Sequence, residues 1–97
     1  MDFSDEEIMA HIIHKLYRRG NWGESHTSFE NLKKGFNQRE LGKKGLKRVD
    51  KVGEQMIKTG LLHSKQTKYG LEVSLEFTRK DELIDIMKRV FHDDEYV

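Results

Sequence analysis

Between Lys33 and Lys51 the chain carries eight basic residues, Lys33, Lys34, Arg39, Lys43, Lys44, Lys47, Arg48 and Lys51, against two acids, Glu40 and Asp50. The rest of the chain holds ten basic and fifteen acidic residues, so a formal net charge of +1 conceals a strong separation of charge. The chemistry open to such a block is attraction of a polyanion. Ammonium and guanidinium groups neutralise phosphates and release condensed counterions, which gives most of the affinity and a steep salt dependence. Arg48 is the candidate base reader, because a guanidinium can pair bidentately with guanine, while Lys44, Lys47 and Lys51 can serve either phosphate or base. The plain alternative is a lysine-rich outer face that only keeps a small domain soluble. Solvated faces usually mix signs, as Arg79, Lys80, Asp81, Glu82, Asp85, Lys88 and Arg89 do; here acids are nearly excluded.

Other constellations are weaker. His11 and His14 stand three apart, but two histidines without a third ligand at fixed spacing make a poor metal site. His26, His63 and His92 are scattered, and no nucleophile partner for a histidine base can be identified. Gly42 and Gly45 do not fit the spacing of a phosphate loop. Cysteine is absent, which removes disulfides and thiolate metal sites. The expectation is a protein that is not an enzyme and takes no cofactor, no metal and no identified small-molecule ligand.

The elements that must position the basic block are legible from caps and periodicity. Ser4 and Glu7 have capping-box spacing, with Phe3 and Ile8 placed as a hydrophobic staple. Ile8, Met9, Ile12, Ile13, Leu16 and Tyr17 then recur at helical spacing up to Gly20. Asn21–His26 reads as a connection, with a short strand around Ser25–Thr27, and Trp22 as core or as a lid over this corner. Thr27 with Glu30 predicts the cap of a short second helix that Gly35 ends. The ten residues from Phe36 to Gly45 read as a link, because Gly42 and Gly45 each cost about 1 kcal/mol inside a helix. Helix three is firm over Leu46–Thr59, its start lying anywhere back to Arg39. At about 100° per residue, Leu46, Val49, Gly53, Met56 and Ile57 fall on one face with Val52 at its edge. Lys44, Lys47, Arg48, Lys51, Gln55 and Lys58 fall opposite.

Leu61–Gln66 and Leu71–Phe77 predict two strands joined through Thr67-Lys68-Tyr69-Gly70. In the second, Leu71, Val73, Leu75 and Phe77 alternate with Glu72, Ser74 and Glu76. Thr78 with Asp81 predicts the cap of a last helix carrying Leu83, Ile84, Ile86, Met87, Val90 and Phe91, and residues 92–97 a frayed tail. The chain of 97 residues is expected to form one α+β domain. No apolar run approaches the ~20 residues of a membrane span, and the N-terminus is acidic, so an intracellular, cytoplasmic protein is expected. The first and last helices have broad apolar faces, which suggests a homodimer paired through them across a two-fold axis.

A hairpin directly after a third helix is the layout of a winged helix. The run KRVDKVGEQMIKTGLL at 47–62 followed by KQTKYGLEVSLEF resembles the recognition helix and wing of small archaeal winged-helix proteins of the DNA-binding or transcriptional-regulator type. HTSFENLKKGF at 26–36 is similar to their second helix, and the likeness covers about residues 5–90. The resemblance implies a winged helix-turn-helix, a three-helix core with a two- or three-stranded wing and a C-terminal helix. It also implies duplex DNA as partner, met by Lys44, Lys47, Arg48 and Lys51 on the helix and Lys65 and Lys68 on the wing. Lys43, Lys33, Lys34 and Arg39 extend the same basic surface, and Tyr69 at the wing tip is placed for sugar or groove. The link from Phe36 to Gly45 departs from the short turn of a simple helix-turn-helix. Two other functions fit the same pattern: a winged-helix module that docks an acidic protein, and an RNA-binding module.

Overall fold

The computed structural model describes residues 4–36 and 38–91, with side chains described throughout except over 38–44. The expected staple residue Phe3 and the expected tail 92–97 lie outside the described residues. Helix α1 spans Asp5–Arg19, strand β1 Thr27–Ser28, helix α2 Phe29–Lys34 and helix α3 Gln38–Lys58. Strands β2 (Leu62–Thr67) and β3 (Gly70–Leu75), a 3-10 turn (Phe77–Arg79) and helix α4 (Lys80–Phe91) follow. The chain is thus α+β, with an antiparallel sheet in the order β1-β3-β2, compatible with a winged-helix arrangement. Among the described residues no helix is long and apolar enough to cross a membrane.

The start of α1 follows from its capping box. Ser4 Oγ accepts from the backbone N–H of Glu7, and Glu7 Oε1 accepts from that of Ser4, an arrangement worth about 1 kcal/mol. Left-handed glycines end both long helices ahead of the sheet and the corner, Gly20 at φ 71° and Gly60 at φ 84°. In each the following N–H reaches back to the last turn, Asn21 to Leu16 and Leu61 to Met56, which satisfies carbonyls the helix leaves free.

One core holds these elements. Ile8, Ile12, Ile13 and Leu16 of α1 are fully buried with Leu32, Val49, Met56, Val73, Leu75, Leu83 and Met87. Because α1 and α4 pack against each other and on this core, the broad apolar face of α1 is filled within one chain. The width that suggested pairing therefore does not require a second copy.

Several local expectations are corrected. Helix α3 begins at Gln38, so it runs through Gly42 and Gly45, and only residues 35–37 separate it from α2. The ten-residue link does not exist. Burial of Val49, Val52 and Met56 on the core outweighs the propensity cost of two glycines, since tertiary packing supplies most helical stability. The cap of α2 is Ser28, one residue later than Thr27, with its Oγ accepting from the Asn31 N–H. Phe77 does not continue the buried face of β3: the chain turns at Glu76, whose carboxylate caps the 3-10 turn at Thr78. Phe77 is 63% exposed, and the Thr78–Asp81 cap is superseded. Ser74, expected on the solvent side, is fully buried and donates to the Gly23 carbonyl at 2.6 Å. The short N-terminal strand explains this: β1 and the bridge from Trp22 to Leu75 cover the outer edge of β3. Trp22 is half-buried and packs edge-on to Tyr17 and Phe77, a lid at the corner.

Candidate nucleic-acid interface

The apolar stripe of α3 sets which side chains face outward. Val49, Val52, Gly53 and Met56 are buried and Leu46 and Ile57 half-buried. Gly53 is required by close approach: a Cβ built there would stand 2.5 Å from Cζ of Phe29. That contact seats the Phe29 ring, at the start of α2, against the C-terminal half of α3. With this side inward, Lys47, Lys51, Gln55 and Lys58 are exposed on the other. Among the described residues neither Lys47 nor Lys51 has an ion-pair partner. Arg39, Lys43 and Lys44 belong to the α3 backbone, but their side chains lie outside the described residues.

Two of the expected contacts are already engaged. Arg48 Nη2 donates to Asp5 Oδ1 of α1 at 2.7 Å, so the guanidinium leans along the α1 side of the ridge. Lys33 Nζ bridges Asp50 Oδ1 at 2.9 Å and Glu30 Oε1 at 3.1 Å. Its pKa is raised, first by the hydrogen bond to Asp50. Lys33 therefore neutralises an acidic flank of α3 and contributes little positive field outward. Lys34, its neighbour, is exposed at the end of α2 without an ion-pair partner among the described residues.

The two flanks of the ridge differ in chemistry. On one, Asp50 and Glu54 border a hollow of about 300 Å³ that reaches Glu30 and the start of β3 at Gly70 and Leu71. On the other, Arg48, Lys51 and Gln55 border a groove of about 560 Å³ closed by Asp5 and Met9 of α1. The cationic ridge is a narrow strip between them.

The β2–β3 hairpin carries the remaining candidates. Lys65 is exposed and stands opposite Glu72 across the strands. At the tip, Thr67 Oγ1 accepts from the Tyr69 N–H and donates to the Gly70 carbonyl, which fixes the two-residue turn. Tyr69 is 86% exposed, with Lys68 Nζ 5.2 Å from its ring centroid. The tip thus presents a rigid aromatic ring and an ammonium together.

The two histidines of α1 stand against aromatic rings, and His63 Nε2 meets Glu76 Oε1 at 2.6 Å. The ring of His11 meets those of Phe36 and Phe91 edge-on at 6.0 and 4.9 Å, and His14 lies 5.2 Å from Phe91. Among the described residues no group of three potential ligands could hold a metal ion. Asp5 and Met9 escaped the sequence reading of the site. Nothing in sequence could have signalled them, since Asp5 is 43 residues from Arg48 and reads simply as a first-turn acid.

No family model, no curated protein and no solved structure matches the chain. What this surface can do is set by its own chemistry.

Proposed function

We propose that this chain is a winged-helix protein that binds duplex DNA, setting the outward ridge of α3 in the major groove with the β2–β3 hairpin along the backbone. The observation that carries this reading is the pair Lys47 and Lys51, both exposed and without an ion-pair partner among the described residues, on the back of a helix whose other side is core. The three-residue connection between α2 and α3 supports it, because a short turn is what a helix-turn-helix uses. Phosphate contacts fall to Lys34, Lys47, Lys51, Lys65 and Lys68, with Tyr69 against sugar or groove. Arg48 reads a base only after exchanging Asp5 for a guanine edge. A role in transcription regulation follows from that binding. A homodimer through α1 and α4 would use what their packing leaves partly uncovered, Ile84 and Phe91, seven residues apart on one face of α4.

Fluorescence anisotropy with a labelled duplex, titrated across salt, tests the proposal. Five phosphate contacts predict a log–log slope of about −3 to −5. The double variant Lys47→Glu, Lys51→Glu, folded by circular dichroism, is expected to lose binding; unchanged binding would remove this face from the interface. A second reading, a protein-docking module, is favoured by Phe77, which carries the Tyr17–Trp22 aromatic edge onto the surface at 63% exposure. It predicts a salt-insensitive partner and no duplex binding.

A further inference from the structure

The groove between α1 and α3 combines an apolar floor with cationic donors whose capacity is not spent. Val52 and Met56 are buried beneath it and Met9 is half-buried at its side, while Arg48, Lys51 and Gln55 form the rim. A guanidinium carries five N–H donors; among the described residues that of Arg48 gives a single hydrogen bond, to one oxygen of Asp5. Among the described residues Lys51 has no ion-pair partner, and Asp5 is the one carboxylate on the groove's lining. The local balance is two cations against one anion, beside thioether and methyl groups that water solvates poorly. A volume of about 560 Å³ lies within the range of small-molecule sites, which pair a mostly apolar lining with a few placed polar groups.

We infer that this groove is a binding site for a small amphiphilic carboxylate, its apolar body against Met9, over the buried Val52 and Met56, and its carboxylate on Arg48 and Lys51. A planar carboxylate matches the fork of Arg48 bidentately, and the Gln55 amide can donate to the same group. Asp5 yields its hydrogen bond to the ligand, so the arginine is held by one acid or the other. The lysine gives the second charge. A phosphate-sized inorganic anion would leave the floor bare, and a neutral apolar molecule would leave the donors unmatched. The site shares Arg48 and Lys51 with the face proposed for duplex DNA, but it does not rest on that reading, and its test contains no nucleic acid.

The four methionines provide the readout. With methyl-¹³C methionine, titration of the full chain with 2-naphthoate is expected to shift the Met9 and Met56 methyls saturably. Met87, fully buried in the core, serves as the internal control and stays in place. Arg48→Gln is expected to weaken the probe by about tenfold, and the uncharged 2-naphthamide to bind correspondingly worse. Lys51→Gln gives a smaller loss of the same sign. The assignment is overturned by no saturable shift up to the solubility of the probe, by equal binding of acid and amide, or by a Met87 shift in step with the others. Met9 and Met56 shifts that change with protein concentration alone would give the groove to a second copy, and likewise overturn it.

Discussion

Asp5, in the first turn of α1, holds the guanidinium of Arg48 in α3 at 2.7 Å across a separation of 43 residues. Both side chains remain substantially open to water, so the pair positions Arg48 more than it stabilises the fold. Exposed pairs are worth about 0–1 kcal/mol, and a first-turn carboxylate adds about 0.3–1 kcal/mol through the helix dipole. Asp5→Asn is therefore expected to lower stability by about 1 kcal/mol or less in urea denaturation. In the same variant duplex affinity is expected to rise severalfold, because a carboxylate leaves the edge of the ridge proposed to face phosphate. Weaker duplex binding by a fully folded Asp5→Asn would show that Asp5 orients Arg48 for contact instead of restraining it.

Two glycines should respond oppositely to alanine. At Gly53 the new methyl meets the Phe29 ring at 2.5 and 2.8 Å, and Phe29 is itself buried, so the ring cannot swing clear. Overpacking of this kind costs about 1–3 kcal/mol, more than the ~1 kcal/mol of helix propensity gained. Gly53→Ala should lower the melting temperature. At Gly35 the backbone is right-handed, φ −73°, and the new methyl meets the flexible end of Lys15 and, at 3.3 Å, the Leu32 carbonyl. Gly35→Ala should leave stability unchanged or raise it by about 0.4–1 kcal/mol, as read by the same thermal melts.

Ser74 is a buried hydroxyl with one partner, the carbonyl of Gly23 in the Trp22 corner. Removing the donor leaves that acceptor unsatisfied, at a cost of about 1–3 kcal/mol. Ser74→Ala should destabilise by that amount, and Trp22 fluorescence should report a loosened corner before global unfolding. A neutral result would mean that water replaces the hydroxyl there.

Acid should weaken the fold through three carboxylates held below their ordinary pKa. The backbone N–H and then the hydroxyl of Ser4 lower Glu7; the backbone N–H and then the hydroxyl of Thr78 lower Glu76; the Arg79 guanidinium lowers Glu82. A depressed folded pKa means that the unfolded chain binds more protons. The stabilisation is thus fully present above the ordinary value of 4.5 and is lost as pH falls through the lowered folded values. Urea midpoints measured from pH 7 to pH 2 should fall only below that point. Glu76→Gln should flatten part of the fall, and a midpoint that drops already between pH 7 and pH 5 would point to other groups.

Much of the architecture was legible in the sequence because it depends on neighbours three or four residues apart. The Ser4–Glu7 box, the Gly20 and Gly60 stops, the hairpin through Thr67–Gly70 and the buried stripe Val49–Val52–Met56 all obey local rules. The start of α3 did not, because intrinsic propensity scores Gly42 and Gly45 as breakers and cannot weigh the packing gained further along the helix at Val49, Val52 and Met56. Strand alternation placed Ser74 outside and Phe77 inside, since period-two reading assumes one bare face and a straight strand. The Trp22 bridge covers the former, and the Glu76 turn exposes the latter.

The sequence by itself determined that a basic block would lie on the outer side of one amphipathic helix, because the period of the helix and the size of its apolar stripe leave no other side for it. Only the tertiary structure decided which of those cations keep their charge unspent. Among the described residues Lys47 and Lys51 do, while Arg48 is matched by Asp5, and Lys33, on the neighbouring α2, by Asp50 and Glu30. The physical reason is range: periodicity fixes direction within a helix, whereas an ion pair depends on which distant carboxylate the packing of α1 and α2 brings within a few ångströms.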